Sequence, residues 1–411
     1  MPALESYVIA GAGLAGAKAA QTLREEGFEG NVLLVGSETE RPYERPALSK
    51  SVLLNREPAD SVYVHEEAFY RDHDITLLTG TTVLSIDRDR RRTRLSDGSE
   101  LRYDRLLLAT GAAPRRLRVP GASLPGVHTL RTLGDSLALR EQLREGDRHV
   151  VVVGAGWIGL ETAAAAREYG NRVTVVDVES TPLHVPLGAE VGAHFAALHR
   201  RKGVEFVFED GLFAVRGTGS VDHVTTSRGA ELPADLVVVA VGVAPGTGLA
   251  KAAGLKVDNG VVVDESLRTS DPDIFAAGDV ANAHHPLYQR HIRTEHWANA
   301  LHSGPAAARS MLGREVAYDR VPYFYSDQYD LGMEFSGFAE PGCYDRIVYR
   351  GDPAGGEYLA FWLRAGRVVA GMNVNVWDVT QDLQALIRAQ VPVDRTRLAD
   401  PKTPLAELLP G

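Results

Sequence analysis

The chain has 411 residues, 44% of them hydrophobic and 24% charged, which suits two or three ordinary cores and excludes a disordered or fibrous protein. Its formal net charge of −10 repels polyanions and argues against a nucleic-acid partner. The single cysteine, Cys343, excludes an intrachain disulfide, a CxxC redox pair and a thiolate zinc cluster.

In chain order, Tyr7–Ala10 reads as an apolar strand, Gly11-Ala12-Gly13-Leu14-Ala15-Gly16 as a tight turn, Ala17–Glu26 as a helix and Val32–Val35 as a second strand, a βαβ unit. The strand begins so soon after Met1 that no room is expected for a leader. No apolar run reaches the roughly 18 residues of a membrane span, so the expectation is a cytoplasmic protein. The same order recurs at Val150–Val153, Gly154-Ala155-Gly156-Trp157-Ile158-Gly159, Leu160–Tyr169 and Val173–Val176. Alternating Val, Leu and Thr at Val204–Phe208, Leu236–Val241 and Val261–Val263 complete the sheets. Beyond about Arg320 come aromatic-rich strands, Tyr344–Arg350, Tyr358–Leu363 and Val368–Asn373, then a helix near Thr380–Ala389. The fold class is therefore α/β: two Rossmann-like dinucleotide-binding domains plus a C-terminal α+β domain. Boundaries are drawn at 1–114 with 247–319, at 115–246 and at 320–411.

In each Gly-x-Gly-x-x-Gly turn the first glycine permits the bend, the second admits a pyrophosphate and the third lets helix pack on strand. The phosphates meet the unpaired N–H groups of the helix N-terminus. Each copy leads to an acid near the end of the next strand, Glu38 or Asp177, placed to accept ribose hydroxyls. Around the second, Asp177-Val178-Glu179-Ser180-Thr181 holds two acids and no Arg or Lys, so a 2′-phosphate would find no partner and NADH is expected over NADPH. His284 with His285, and His194 with His199, lack the carboxylate or thiolate spacing of a metal site. No metal is expected.

Three further segments, Ala109-Thr110-Gly111-Ala112-Ala113-Pro114, Ala240-Val241-Gly242-Val243-Ala244-Pro245 and Thr269–Val280, resemble the two-dinucleotide-binding flavoproteins of glutathione-reductase-like architecture. Arg41–Lys50 and Tyr323–Tyr329 narrow the resemblance, over essentially the whole chain, to oxygenase-coupled NADH-dependent ferredoxin reductases, the group that includes putidaredoxin and rubredoxin reductases. The resemblance implies FAD in the first fold and NADH in the second. For FAD it implies Gly11, Gly13, Ala15, Gly16, Glu38, Arg45, Lys50, Val83, Ala109, Thr110, Gly111, Arg131, Gly278, Asp279, Trp297 and Tyr325. For NADH it implies Gly154, Gly156, Trp157, Ile158, Gly159, Asp177, Glu179, Val241 and Gly242. Lys50 would stand near flavin N5 with Glu161 as its ion-pair partner, and these two are the expected catalytic residues.

The implied activity is hydride transfer from NADH to flavin, followed by release of single electrons to a two-iron ferredoxin or rubredoxin serving a monooxygenase. A monomer or homodimer is expected. Residues 343–411 hold eight basic and eight acidic residues, so the C-terminal part is the less repulsive surface for an acidic protein. Two other activities share this pattern: an NADH-dependent reductase of quinones, radicals or oxygen, and a redox-sensing flavoprotein like apoptosis-inducing factor. The sequence departs from the family at Ser37, where relatives carry the ribose acid, at Thr181 and Val185, where Arg is common, at Tyr325 in place of Trp, and at Gly246 in place of Asn.

Overall fold

Strands that carry apolar side chains on both faces belong to sheets covered on both sides, and Tyr7-Val8-Ile9-Ala10 and Val150-Val151-Val152-Val153 are buried throughout. The structure, a computed structural model, describes residues 4–340 and 342–409. The chain divides into two compact units. One comprises Met1–Glu44, Asp60–Ala113 and Ala244–Pro322; the other comprises Arg45–Ala59, Pro114–Val243 and Tyr323–Gly411.

The first unit is built on a five-stranded parallel sheet in the order Ile274–Ala276, Arg105–Leu108, Ser6–Ala10, Asn31–Val35, Ile75–Leu78. The helix Leu14–Glu25 follows the first strand and buries an alanine-rich face with Ala15, Ala19, Ala20 and Leu23 in the core. A helix this poor in bulky side chains can approach its neighbour closely. A Cβ at Gly304, on the helix Trp297–Met311, would lie 2.2 Å from the Ala15 carbonyl oxygen.

The second unit repeats the plan, with the parallel order Val204–Val207, Arg172–Val176, His149–Val153, Leu236–Val239, Val127–Thr129. The helix Trp157–Glu168 covers this sheet. The same unit contains a five-stranded antiparallel sheet ordered Tyr323–Gln328, Leu331–Gly337, Arg367–Val374, Glu357–Arg364, Arg346–Asp352. The helix Thr380–Ala389 packs on it. One apolar core runs through both sheets of this unit, joining Val150, Leu160, Val191 and Phe195 to Phe335, Trp362 and Met372. Trp362 is wholly buried and its indole N–H donates to the Leu187 carbonyl at 3.1 Å.

Both helices after the glycine turns begin three residues earlier than their apolar pattern predicts, because Leu14 and Trp157 already have helical backbone once the middle glycine serves as N-cap. Among the described residues no helix is long and apolar enough to cross a membrane.

Candidate active site

In the first unit the C-terminal ends of three parallel strands converge on the first glycine turn. Gly11 has φ +123°, its N–H donates to the Val35 carbonyl at 2.8 Å, and a Cβ on it would meet the Ala109 carbonyl oxygen at 2.0 Å. A Cβ on Gly16 would lie 2.0 Å from the Gly11 carbonyl oxygen. These two glycines are therefore enforced by backbone packing. Gly13 differs: a Cβ there would meet nothing within 4 Å. It caps a helix whose first N–H groups receive no side-chain cap, so an open cradle with free donors faces outward.

The second unit reproduces each detail. Gly154 has φ +102° and would place a Cβ 2.4 Å from the Ala240 carbonyl oxygen; Gly159 would place one 2.0 Å from the Gly154 carbonyl oxygen. Gly156 meets nothing within 4 Å and caps a helix without side-chain help. Such cradles suit a pyrophosphate, whose charge the helix N-terminus favours and whose oxygens would take the space a Cβ would fill. The residues present therefore fit two dinucleotides.

Of the residues assigned to FAD by resemblance, Gly11, Gly13, Ala15, Gly16, Glu38, Val83, Ala109, Thr110, Gly111, Gly278, Asp279 and Trp297 lie in the first unit, and Arg45, Lys50, Arg131 and Tyr325 in the second. The fold brings Ala15 and Gly278 together, a Cβ on Gly278 falling 3.1 Å from that of Ala15. Gly278 has φ +74° and its N–H donates to Ser303 Oγ at 2.9 Å, setting up the short helical turn Gly278–Val280 that carries Asp279. Glu38 is half-buried and accepts the Tyr43 hydroxyl at 2.5 Å, whereas Ser37 is exposed. Thr110 Oγ1 donates to the Gly246 carbonyl at 2.8 Å and the Gly246 N–H to the Gly111 carbonyl at 2.8 Å. A Cβ on Gly246 would lie 2.9 Å from the Thr110 carbonyl oxygen, so the glycine that replaces Asn permits this approach. Val83 opens the strand Val83–Asp87 and pairs with Leu95, and Trp297 opens the helix Trp297–Met311.

Among the residues assigned to NADH, Asp177 is held by the backbone: the N–H groups of Ala155 and Glu179 both donate to its carboxylate, the latter at 2.8 Å. Glu179 lies 3.8 Å from His184 Nε2. Ile158 is exposed on the first turn of its helix, while Trp157 packs edge-on against Phe195 and Phe324 with ring centroids 5.8 and 4.9 Å away. Gly242, with φ +84°, follows Val241, and its carbonyl accepts the Arg115 N–H at 2.9 Å.

The ion pair expected from the sequence forms within the second unit. Lys50 Nζ lies 2.8 Å from Glu161 Oε1, with side chains 15% and 3% exposed. Lys50 ends the short turn Pro46–Ser49, and Glu161 sits on the second turn of Trp157–Glu168. Tyr325, half-exposed, presents its ring 5.7 Å from Lys50 Nζ. Nearby, the Arg45 guanidinium donates to the Arg131 carbonyl, and the Arg131 N–H donates to Asp135 at 3.0 Å. Two partners of Glu161 were not singled out in the sequence: the hydroxyl of Ser49 donates to Oε2, and that of Ser326 donates to Oε1 at 2.7 Å. A serine next to Lys50 and three polar residues following three aromatics along Tyr323–Gln328 were the available signals.

Compared with known proteins, residues 5–304 match the model of the pyridine nucleotide-disulphide oxidoreductase family and residues 323–409 that of the reductase C-terminal family. The chain is 41% identical to the ferredoxin–NAD(+) reductase component of the anthranilate 1,2-dioxygenase system of Burkholderia cepacia, over 98% of this chain and 99% of that one. It is 39% identical to putidaredoxin reductase of Pseudomonas putida, over 100% and 98%. Among solved structures it superposes on the covalent putidaredoxin reductase–putidaredoxin complex with a TM-score of 0.94 at 39% identity, covering 99% of this chain and 98% of that one. A ferredoxin reductase from Rhodopseudomonas palustris gives a TM-score of 0.94 at 35% identity, with 98% and 99% covered. The chain belongs to the pyridine nucleotide-disulphide oxidoreductase family, in the branch of oxygenase-coupled ferredoxin reductases.

Proposed function

We propose that this protein is an FAD-dependent NADH:ferredoxin oxidoreductase that passes electrons to a two-iron ferredoxin of an oxygenase system. The observation that carries the reading is the doubled glycine cradle combined with a buried Lys50–Glu161 pair. Its relatives include the ferredoxin–NAD(+) reductase components of the anthranilate and benzene 1,2-dioxygenase systems, and putidaredoxin reductase. Residues 1–342 contain no cysteine, so electrons leave without a protein disulfide relay.

In this reading the first unit binds FAD with its cradle at Gly11, Gly13 and Gly16 and with Asp279, while Glu38 receives the ribose. Gly154, Gly156 and Gly159 bind the NADH pyrophosphate, and Asp177 and Glu179 take the adenosine ribose, Asp177 keeping acceptor sites beyond the two backbone N–H groups it already receives. FAD, when bound, supplies the conversion of one hydride into two single electrons. By the family resemblance Lys50 would supply a positive charge near flavin N5, Glu161 would keep that ammonium in place from 2.8 Å, and Tyr325, whose ring is 5.7 Å from it, would stand in for the usual Trp. Dependence on NADH suits a cytoplasmic location.

Anaerobic stopped-flow mixing tests the proposal. The yellow holoprotein is expected to be bleached quickly by NADH and slowly by NADPH, and then to reduce an oxidised two-iron ferredoxin. Lys50→Met should slow flavin reduction by about tenfold or more, the loss of at least one charge-assisted hydrogen bond. Reduction by NADH with no transfer to any ferredoxin would instead support a small-molecule reductase.

A further inference from the structure

Glu161 is not an end point. Ser326 Oγ, which donates to it at 2.7 Å, itself accepts Gln328 Nε2 at 3.1 Å, and Gln328 Oε1 lies 2.8 Å from His199 Nε2. Ser326, Gln328 and His199 are 0%, 1% and 0% exposed. Two come from the strand Tyr323–Gln328 and one from the helix Ala189–Arg201, and all lie in the same unit as Lys50. Polar side chains in a core cost desolvation unless each donor and acceptor is matched, and here the matching is directional.

The direction follows from proton counting. A serine oxygen 2.7 Å from a carboxylate needs a proton between them, and the hydroxyl supplies it. Ser326 can then only accept from Gln328, so the amide N–H₂ faces the serine and Oε1 faces the histidine. His199 must donate to it through Nε2–H, and its Nδ1 lies 3.5 Å from the Tyr329 hydroxyl. Burial pushes the His199 imidazole down to about 4, which keeps the ring neutral at pH 7. Every bond in the chain thus points its proton toward Glu161.

We propose that Gln328 and His199 are positioning residues for the Lys50–Glu161 pair, fixing the serine rotor that aims Glu161 at Lys50. The inference rests on the reading of Lys50 as the charge at the flavin. Hydrogen bonds aligned in one direction polarise one another, so a break two side chains away weakens the grip on the ammonium.

The test uses the FAD-loaded protein. Gln328→Leu and Ser326→Ala should each lower the limiting rate of flavin reduction at saturating NADH about tenfold, the effect of one lost hydrogen bond to a charged group. The dissociation constant for NADH should stay unchanged. The midpoint potential of bound FAD should fall, because a loosened ammonium stabilises reduced flavin less. Ser326→Thr, which keeps the hydroxyl, should restore both. In the unmodified holoprotein, side-chain ¹⁵N spectra at pH 7 should show His199 as the neutral Nε2–H tautomer. A neutral His199 with its proton on Nδ1, whose Nε2 cannot donate to Gln328, overturns the chain even if no variant folds. If Lys50→Met slows reduction while Gln328→Leu and Ser326→Ala leave rate and potential alone, the inference fails and the reading of the site survives. If Lys50→Met also has no effect, the reading itself fails.

Discussion

At the level of single residues, the two glycine turns separate structural from functional glycine. Gly11, Gly16, Gly154 and Gly159 are surrounded by backbone at 2.0–2.4 Å, and two of them need φ above +100°, so any side chain there disrupts the turn. Gly13 and Gly156 have φ −87° and −77° and open space ahead. A valine can occupy either position without strain and would fill only the space meant for phosphate. Gly156→Val should therefore raise the dissociation constant for NADH by about tenfold or more, worth about 1.4 kcal/mol, and leave FAD content unchanged. Gly13→Val should give a folded but colourless protein. Absorbance of bound flavin and NADH titration separate the two.

The buried ion pair makes a second prediction at this scale. Removing one partner of such a pair leaves a buried charge and costs about 3–5 kcal/mol. Lys50→Met should lower the melting temperature, and Lys50→Met with Glu161→Gln should recover most of it while flavin reduction stays slow. Recovery of both together would detach the pair from the chemistry.

At the level of elements, the turn after Arg172–Val176 decides coenzyme choice. Asp177 closes that turn by accepting the Ala155 and Glu179 N–H groups. Glu179, which is 3.8 Å from His184, is the second carboxylate of the turn and, among the described residues, has no backbone N–H to anchor. No Lys or Arg occurs between Asp177 and His199. Glu179→Arg should bring the ratio of kcat/KM for NADH over NADPH down by about tenfold, since a guanidinium pairs the 2′-phosphate that the carboxylate repels. An unchanged ratio would place the determinant elsewhere. The strand Tyr323–Gln328 teaches the opposite lesson about legibility. Its composition suggests buried aromatics, yet Ser326 and Gln328 are the buried residues while Tyr323, Phe324 and Tyr325 are only partly covered. The sequence runs three aromatics and then three polar residues, and which face of the polar half turns inward depends on a glutamate more than 160 residues away.

At the level of the whole molecule, stability should vary with pH through His199. Its folded-state value is depressed to about 4 from an ordinary 6.5 by burial, so the unfolded chain binds the proton more readily between those values. Stability contributed by the neutral ring is complete above about pH 6.5 and declines as pH falls toward 4, by about 3 kcal/mol. His199→Gln should flatten that part of the unfolding profile for the unit that contains it. An acid limb of the same depth in the variant would assign it to other groups. The division of the chain belongs to this scale as well. Three domains are expected from motif spacing, whereas the C-terminal sheet shares one apolar core with the second parallel sheet, and Arg45–Ala59 joins that same unit.

What the sequence determined by itself was local and periodic. Two βαβ units, their glycine turns, the acid ending each second strand, and the helix Thr380–Ala389 all follow from spacing and backbone sterics within about 30 residues. The Lys50–Glu161 pair was legible only through family resemblance, because nothing local links a short turn to a helix 111 residues on. The tertiary structure alone decided that Ser49 and Ser326 complete the shell of Glu161, that Gln328 and His199 stand behind them, and that Asp177 accepts two backbone N–H groups. Each of those depends on the packing of elements distant in sequence, where the requirement to satisfy buried polar groups, and not local propensity, selects the contact.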